Sequence, residues 1–404
     1  MVIWMKASEL ETMRKSFDTV KRRSDSIRES PSTQRLIDRV REVKKYSIEN
    51  NRELLNQTCE SFKRNDIDFV MAETSEDALR IIDELLLEYD CNVIAKAKSN
   101  TLREIDLKNH LAGTGIDIVE TDLGDRILQL KRTDNDPVHP TGPASHLNIS
   151  DITDIVNESL DADVNPEPRQ IMELVRADVL NRIKNANVGI SGANAIASEE
   201  GSLVMVHNEG NISIVSLKDL HIIVVGIEKI VPTLEDAISV VKLETIFATG
   251  SYVTSYMNVI SGPSKTADIE KKLLKNMYGA EKVVVILLDN GRSQATEECL
   301  YCIGCGNCVV HCPVYNAVGN EFGFNNYLGG RGVAMSKFIE DDETCYNSGL
   351  YMCTLCGLCT LNCPLAIPTN EIIENMRKFS TGVGFYPKAH GVIKDNISKN
   401  DSPY

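Results

Sequence analysis

Cys302-Ile303-Gly304-Cys305-Gly306-Asn307-Cys308-Val309-Val310-His311-Cys312-Pro313 has a second copy of its cysteine spacing at Cys353-Thr354-Leu355-Cys356-Gly357-Leu358-Cys359-Thr360-Leu361-Asn362-Cys363-Pro364. In each run three cysteines stand at x2 spacing, and a fourth precedes proline. This is the ligand pattern of a protein that holds two [4Fe–4S] clusters. Three closely spaced thiolates take three corners of one cube, and the fourth lies too far along to close it easily. In proteins with two such runs the fourth thiolate serves the other cluster. The spacing therefore predicts Cys302, Cys305, Cys308 and Cys363 on one cluster, and Cys353, Cys356, Cys359 and Cys312 on the other. Zinc favours two CxxC pairs per site, and neither run divides that way. Disulfides belong to oxidising compartments, and nothing in the sequence directs the chain to one. Cys299 extends the first run backward by one more x2 step. A register of Cys299, Cys302 and Cys305 would break the link to Cys312-Pro313, so Cys299 reads as a spare near the cluster. Cys59, Cys91 and Cys345 read as small packed hydrophobes.

Working backward from the runs, Lys282-Val283-Val284-Val285-Ile286-Leu287-Leu288 is apolar after its lysine, as a strand buried on both faces should be. Asp289-Asn290-Gly291-Arg292 closes it with turn residues. Upstream, strands are expected at 67–71, 92–95 and 116–120. Helices are expected from Ser75 to about Tyr89 and from Thr101 to Ala112. That alternation indicates an α/β layer with a mostly parallel sheet. A proline-rich loop at 136–143 and helices to about Asn185 follow. Strands are then expected at 188–190, 201–207, 212–216 and 221–226, a helix at 233–247, and a further stretch to Ile260.

Residues 6–64 read as helix, with apolar positions at helical spacing and Pro31 opening a second helix. The expected organisation is a helical arm at 1–65, an α/β domain at 66–292, a helical two-cluster domain at 293–375 and a tail at 376–404.

The 404 residues carry a formal net charge of −15, which argues against nucleic acid as a partner. Residues 1–52 nevertheless hold thirteen Lys and Arg against eight Asp and Glu, a basic arm able to lie on the acidic body or on another acidic chain. No run approaches the roughly 18 apolar residues of a membrane span. The expected compartment is the reducing cytoplasm, with a membrane reached only through a partner.

The α/β part resembles the LUD domain of lactate-utilization proteins. The matching stretches are 189–204, from Gly189-Ile190-Ser191-Gly192-Ala193-Asn194 to Gly201-Ser202-Leu203-Val204, then Asn208-Glu209-Gly210-Asn211, Val225–Pro232, Ser261–Glu270 and Val119–Gly124. With the iron–sulfur runs behind it, the chain is similar to the iron–sulfur branch of that family over roughly residues 30–375. The resemblance implies a fold of the NagB/RpiA/CoA-transferase-like kind. It implies a part in oxidising L-lactate to pyruvate beside two partners, a subunit with cysteine-rich CCG domains and a second LUD protein. Two departures stand out. Family members usually carry a longer segment after the second run, and Ser198 and Glu200 replace the usual alanine and threonine around Glu199.

Gly189, Gly192 and Gly201 mark turns where the backbone must bend tightly or a ligand must approach closely. Asn194, Glu199 and Lys265 are the substrate-binding candidates, for a small hydroxy acid at the strand ends. Ser261–Thr266 lacks the glycine that a phosphate loop needs before its lysine, and no G-x-G-x-x-G follows a strand. His139, His146, His207, His221 and His311 are the histidines from which a proton acceptor would come, with no basis for choosing among them.

Two readings of function follow. One is the iron–sulfur electron-transfer subunit of a 2-hydroxy-acid oxidoreductase that uses no NAD. The other is an adaptor whose LUD domain docks or senses a partner. An open pocket with carboxylate-binding groups favours the first, and plugged strand ends favour the second.

Overall fold

The computed structural model describes residues 5–131 and 137–403, so Asp136 of the expected proline loop lies outside the described residues. The chain opens with helices α1 (Ala7–Arg28), α2 (Pro31–Glu49) and α3 (Asn51–Arg64). The Ser30 side chain accepts from the Thr33 amide and Pro31 fills the first turn of α2, where its missing N–H costs nothing.

The α/β body follows in order. It runs through β1 (Asp68–Ala72), α4 (Ser75–Glu88), β2 (Val93–Lys96), α5 (Asn100–Glu104), α6 (Leu107–His110), β3 (Asp117–Glu120) and α7 (Leu123–Leu130). Helices α8 (Ile149–Leu160) and α9 (Pro168–Arg182) lead to β4 (Val188–Ser191), β5 (Ala195–Ala197), β6 (Ser202–His207), α10 (Asn211–Ser216), β7 (Leu220–Gly226) and β8 (Ile230–Val231). After α11 (Leu234–Thr249) come β9 (Tyr256–Ile260), β10 (Lys265–Thr266), β11 (Leu274–Lys275) and β12 (Lys282–Leu288).

Six strands form one sheet in the order β1-β12-β7-β4-β2-β3, and every pairing is parallel. Along β12, Val284, Ile286 and Leu288 pack on one face, while Val283, Val285 and Leu287 pack on the other. The continuous apolar run is thus a central strand covered on both sides. A smaller sheet, β8-β5-β6-β9, lies against the second face.

Residues 212–216 form the helix α10, not the expected strand. Gly210, at φ 86°, turns the chain into it. The helix then packs so tightly on β4 that a Cβ on Gly189 would lie 2.1 Å from the Val215 carbonyl oxygen. Gly189 therefore admits a helix, not a ligand. Gly201, at φ 63°, likewise makes room for Ser61 of α3.

The arm is part of the core. Met13, Phe17, Ile37 and Val40 are buried in one cluster with α11 and with Val309, Tyr315 and Val333 of the C-terminal region. The basic surface meets the chain's own groups: Arg39 pairs with Asp236 at 3.0 Å, Arg41 donates to the Pro364 carbonyl at 2.8 Å, and Arg28 donates to Asn362 at 3.2 Å.

The cysteine runs sit among short helices: α12 (Glu297–Leu300), α13 (Asn307–His311), α14 (Pro313–Val318), α15 (Gly329–Ile339), α16 (Asp342–Asn347) and α17 (Leu358–Asn362). A hairpin of β13 (Gly323–Phe324) and β14 (Tyr327–Leu328) precedes α15. Helix α18 (Thr369–Gly382) runs through residue 375, where a boundary was expected, and α19 (Lys388–Asn400) follows. No described helix is long and apolar enough to cross a membrane.

Candidate cluster sites and an interdomain pocket

The two cysteine loops share one backbone. Gly304 and Leu355, each two residues after its first cysteine, take φ 83° and 55°, and Gly306 and Gly357 take 75° and 74°. Leu355 holds this left-handed conformation without the freedom of glycine, at a cost of roughly 1 kcal/mol. In return the chain curls around its own sulfur. The Gly304 amide points at Cys302 Sγ and the Leu355 amide at Cys353 Sγ, each at 3.4 Å. Each loop runs into a short helix, α13 or α17, and Asn307 Nδ2 ties the two by donating to the Asn362 carbonyl at 2.8 Å.

The thiols gather in two sets. Cys302, Cys305, Cys308 and Cys363 line one cavity, and Cys312, Cys353, Cys356 and Cys359 line the next. Cys308 and Arg331 border both, so the two cavities adjoin. Each set takes three thiols from one run and the pre-proline cysteine from the other. Among the described residues no three Cys, His, Asp or Glu side chains converge as for a single metal ion. The thiols surround a space, as ligands at the corners of a cubane must. Burial pushes Cys305 and Cys308 well above the ordinary thiol range, and Cys312 and Cys363 up to about 11. Thiolates held there need a cationic centre, which iron supplies, so the residues fit the group.

Cys299 lines neither cavity. It is buried, its Sγ accepts from Thr296 Oγ1 at 3.3 Å, and its carbonyl holds Arg331. Cys345 is buried and donates to the Val333 carbonyl at 3.2 Å. Cys91 is buried, and Cys59 is half-buried.

A third cavity, of about 230 Å³, opens beyond the carboxyl ends of β2, β3, β4 and β7, where parallel sheets usually bind ligands. Its ionic lining comes from the segments after those strands: Lys98, Asp122 and Lys229, joined by Glu209 and by Glu244 of α11. Lys98 Nζ pairs with Asp122 Oδ2 at 2.7 Å, and Glu209 Oε2 accepts from the Leu123 amide at 3.0 Å. Asn194 Oδ1 accepts from the Val206 amide at 3.1 Å, while its Nδ2 donates to Glu244 Oε2 at 3.0 Å. Burial raises the carboxyls of Glu244 and Glu209 above their ordinary value. Gly304 of the first cysteine loop forms part of the wall, so this pocket lies between the sheet and the first thiol set.

Of the three expected substrate residues, only Asn194 lines the pocket. Glu199 is exposed in a turn, where its carbonyl receives Ser61 Oγ and Arg64 Nη2 from α3. Lys265 is exposed on the β10–β11 hairpin and donates to the Asn65 carbonyl at 3.3 Å. Both serve the turns against α3. Gly192 does border the pocket, and a Cβ there would meet Ser99 Oγ at 2.5 Å. The missed residues Asp122, Glu209 and Lys229 all lie inside stretches quoted for the family resemblance. Their position within those stretches was the available signal.

The histidines divide by burial. His221 is enclosed in the core, held at 2.8 Å from Ser191 Oγ and pushed down to about 3 by burial. His139 is pushed down to about 4 by burial and then by Lys98, and accepts from the Thr141 amide on Nδ1. His207 lines the pocket, and burial lowers it too. His146 is buried, and His311 sits on α13 beside Cys312.

The family model described as LUD domain matches residues 55–288, and that described as 4Fe-4S dicluster domain matches 298–367. The protein named Lactate utilization protein B of Geobacillus thermodenitrificans is 33% identical over 83% of this chain and 70% of its own length. Its namesake in Macrococcus caseolyticus is 32% identical over 84% and 70%. Among solved structures, a DUF162 family protein from Deinococcus radiodurans aligns at 14% identity with a TM-score of 0.32, over 59% of this chain and 98% of its own.

Proposed function

The chain belongs to the LUD-domain family, with a 4Fe-4S dicluster domain behind the LUD domain, and from that premise we propose that it is the iron–sulfur electron-transfer subunit of an oxidoreductase in lactate utilization. The reaction we assign to the complex is oxidation of a 2-hydroxy acid, L-lactate to pyruvate, without a nicotinamide. The observation that carries this reading is the sorting of eight thiols into two adjoining sets of four. A [4Fe–4S] cluster bound by each set supplies a centre that takes up and passes on one electron.

The order of the sites supports a direction. The interdomain pocket touches the loop of Cys302 and Cys305, and that set adjoins the second, whose Cys356 is exposed. Electrons from the pocket would reach the first set, then the second, then a partner at the surface. We infer as partners a subunit with cysteine-rich CCG domains and a second LUD protein. The adaptor reading calls for plugged strand ends, and the open pocket at β2, β3 and β4 counts against it.

Iron and sulfide analysis of anaerobically purified protein tests the proposal, together with low-temperature EPR after dithionite. About eight iron atoms per chain are expected from two cubanes. Half that iron, or stoichiometric zinc, would sink it. With both partners added, lactate should reduce the same centres that dithionite reduces.

A further inference from the structure

The charges in the interdomain pocket are almost all spoken for. Lys98 is held by Asp122, Glu209 by the Leu123 amide, and one oxygen of Glu244 by Asn194. Lys229 lines the pocket with no ion pair among the described residues. The second oxygen of Glu244, Oε1, accepts no hydrogen bond among them either. These two groups face the same point on the opposite wall. A Cβ placed on Gly304 would lie 3.9 Å from Lys229 Nζ and 3.7 Å from Glu244 Oε1. Glycine at 304 leaves that space open, and its φ of 83° suits no other residue well.

A cation in no close ion pair, beside a carboxyl that burial pushes toward its neutral form against the pull of that same lysine, suits a ligand of one negative charge. A diphosphate or nucleotide would bring more charge than one lysine balances. The volume of about 230 Å³ falls below the usual range for larger ligands and suits a molecule of a few heavy atoms. A neutral carboxyl can donate to a keto oxygen, and a charged one can accept from a hydroxyl.

We propose that this pocket binds a small 2-hydroxy or 2-oxo monocarboxylate, with the carboxylate on Lys229, the neighbouring oxygen at Glu244, and the ligand against Gly304 of the first cysteine loop. Asn194 is a positioning residue, because it turns Glu244 so that Oε1 is left for the ligand. The choice of a hydroxy acid among monocarboxylates rests on the electron-transfer reading. The site itself rests on the pocket.

Calorimetric titration of L-lactate and of pyruvate into the intact, anaerobically purified chain tests the site without any turnover. One-to-one binding is expected. Lys229→Met should weaken it at least tenfold, Lys229→Arg should restore most of it, and Lys265→Met, outside the pocket, should bind like the parent. Asn194→Ala gives a second variant, expected to weaken binding severalfold, should Lys229→Met fail to fold. In dithionite-reduced protein, pyruvate should alter the EPR signal of one centre and leave the other. No binding of either acid by the parent chain, or undiminished binding by Lys229→Met, overturns the inference. A full iron complement and an intact dithionite signal in that case leave the electron-transfer reading standing. Missing iron overturns that reading, and the calorimetry still decides the pocket.

Discussion

Arg292 and Glu104 form a two-pronged buried ion pair, with Nη1 to Oε1 at 2.8 Å and Nη2 to Oε2 at 2.7 Å. Arg292 Nε also holds Glu228 Oε2 at 2.6 Å, and the Tyr327 hydroxyl donates to Glu104. The four side chains come from the ends of α5, β7 and β12 and from the β14 strand of the cysteine region. They form a buried polar tie between the sheet and the thiol sets.

Removing one partner of such a pair strands a buried charge, at about 3–5 kcal/mol. Arg292→Met should therefore lower the denaturation midpoint severely, with loss of iron. Arg169→Met, which breaks an exposed i,i+4 pair with Glu173, should leave the midpoint nearly unchanged. Chemical denaturation of the three proteins side by side checks this.

Gly306 and Gly357 occupy equivalent places in the two loops, yet their surroundings differ. A Cβ on Gly306 would stand 2.5 Å from His139 Nε2, while one on Gly357 would meet nothing within 4 Å among the described residues. Alanine at either site pays a left-handed penalty of roughly 1–2 kcal/mol. Gly306→Ala should cost more than Gly357→Ala, because His139 must also move. Equal losses of melting temperature would refute the contact.

Asp125 is buried, its Oδ1 accepting from Arg103 at 2.7 Å and its Oδ2 without a hydrogen-bond partner among the described residues. Burial pushes its carboxyl up to about 6, against Arg103, with Glu120 and Asp122 adding to the rise. The folded state therefore keeps this proton longer than the unfolded one. The group's contribution to stability falls as pH rises from about 4 to about 6, by at most about 3 kcal/mol. Asp125→Asn should gain on the parent protein across that window and hold a constant offset above it. Thermal melts from pH 4 to pH 8 would show the two curves parallel if the carboxyl were ordinary.

Cys312 and Cys299 separate crossed ligation from simple proximity. Cys312→Ser should damage the centre of Cys353, Cys356 and Cys359, whose cavity it shares. Cys299→Ser should keep both centres. EPR of the reduced variants distinguishes them, and loss of the Cys302 signal in Cys312→Ser would reverse the assignment.

What the sequence revealed, and what it hid, has a physical pattern. The run 282–288 announced a doubly covered strand because both faces are apolar. The two sets that the cysteine spacing proposes each line one cavity, because spacing limits how a short loop can curl, and iron analysis of the variants tests them as ligands. The run Ile212-Ser213-Ile214-Val215-Ser216 read as strand through its β-branched residues, and packing on Gly189 made it a helix. Lys265 and Glu199 stood in the right family stretches but face α3, and nothing local to the chain reports that. Lys229, Glu244 and Gly304 come together only in the folded chain, and no local pattern at any of the three positions reports that. Residues 1–65 read as a helical arm set before the α/β domain, yet Met13 and Phe17 are buried in one core with α11 and the cysteine region.

The exchange of pre-proline cysteines between the two runs also sets a timetable for biogenesis. While the chain is being made, the Cys302 run emerges without its fourth thiol, which arrives only with Cys363. Neither set can be completed until nearly the whole domain has left the ribosome. A chain that stops short of Cys363 would leave the first set with three thiols. If each set holds a cluster, a complete first cluster is reserved for chains that extend past Cys363.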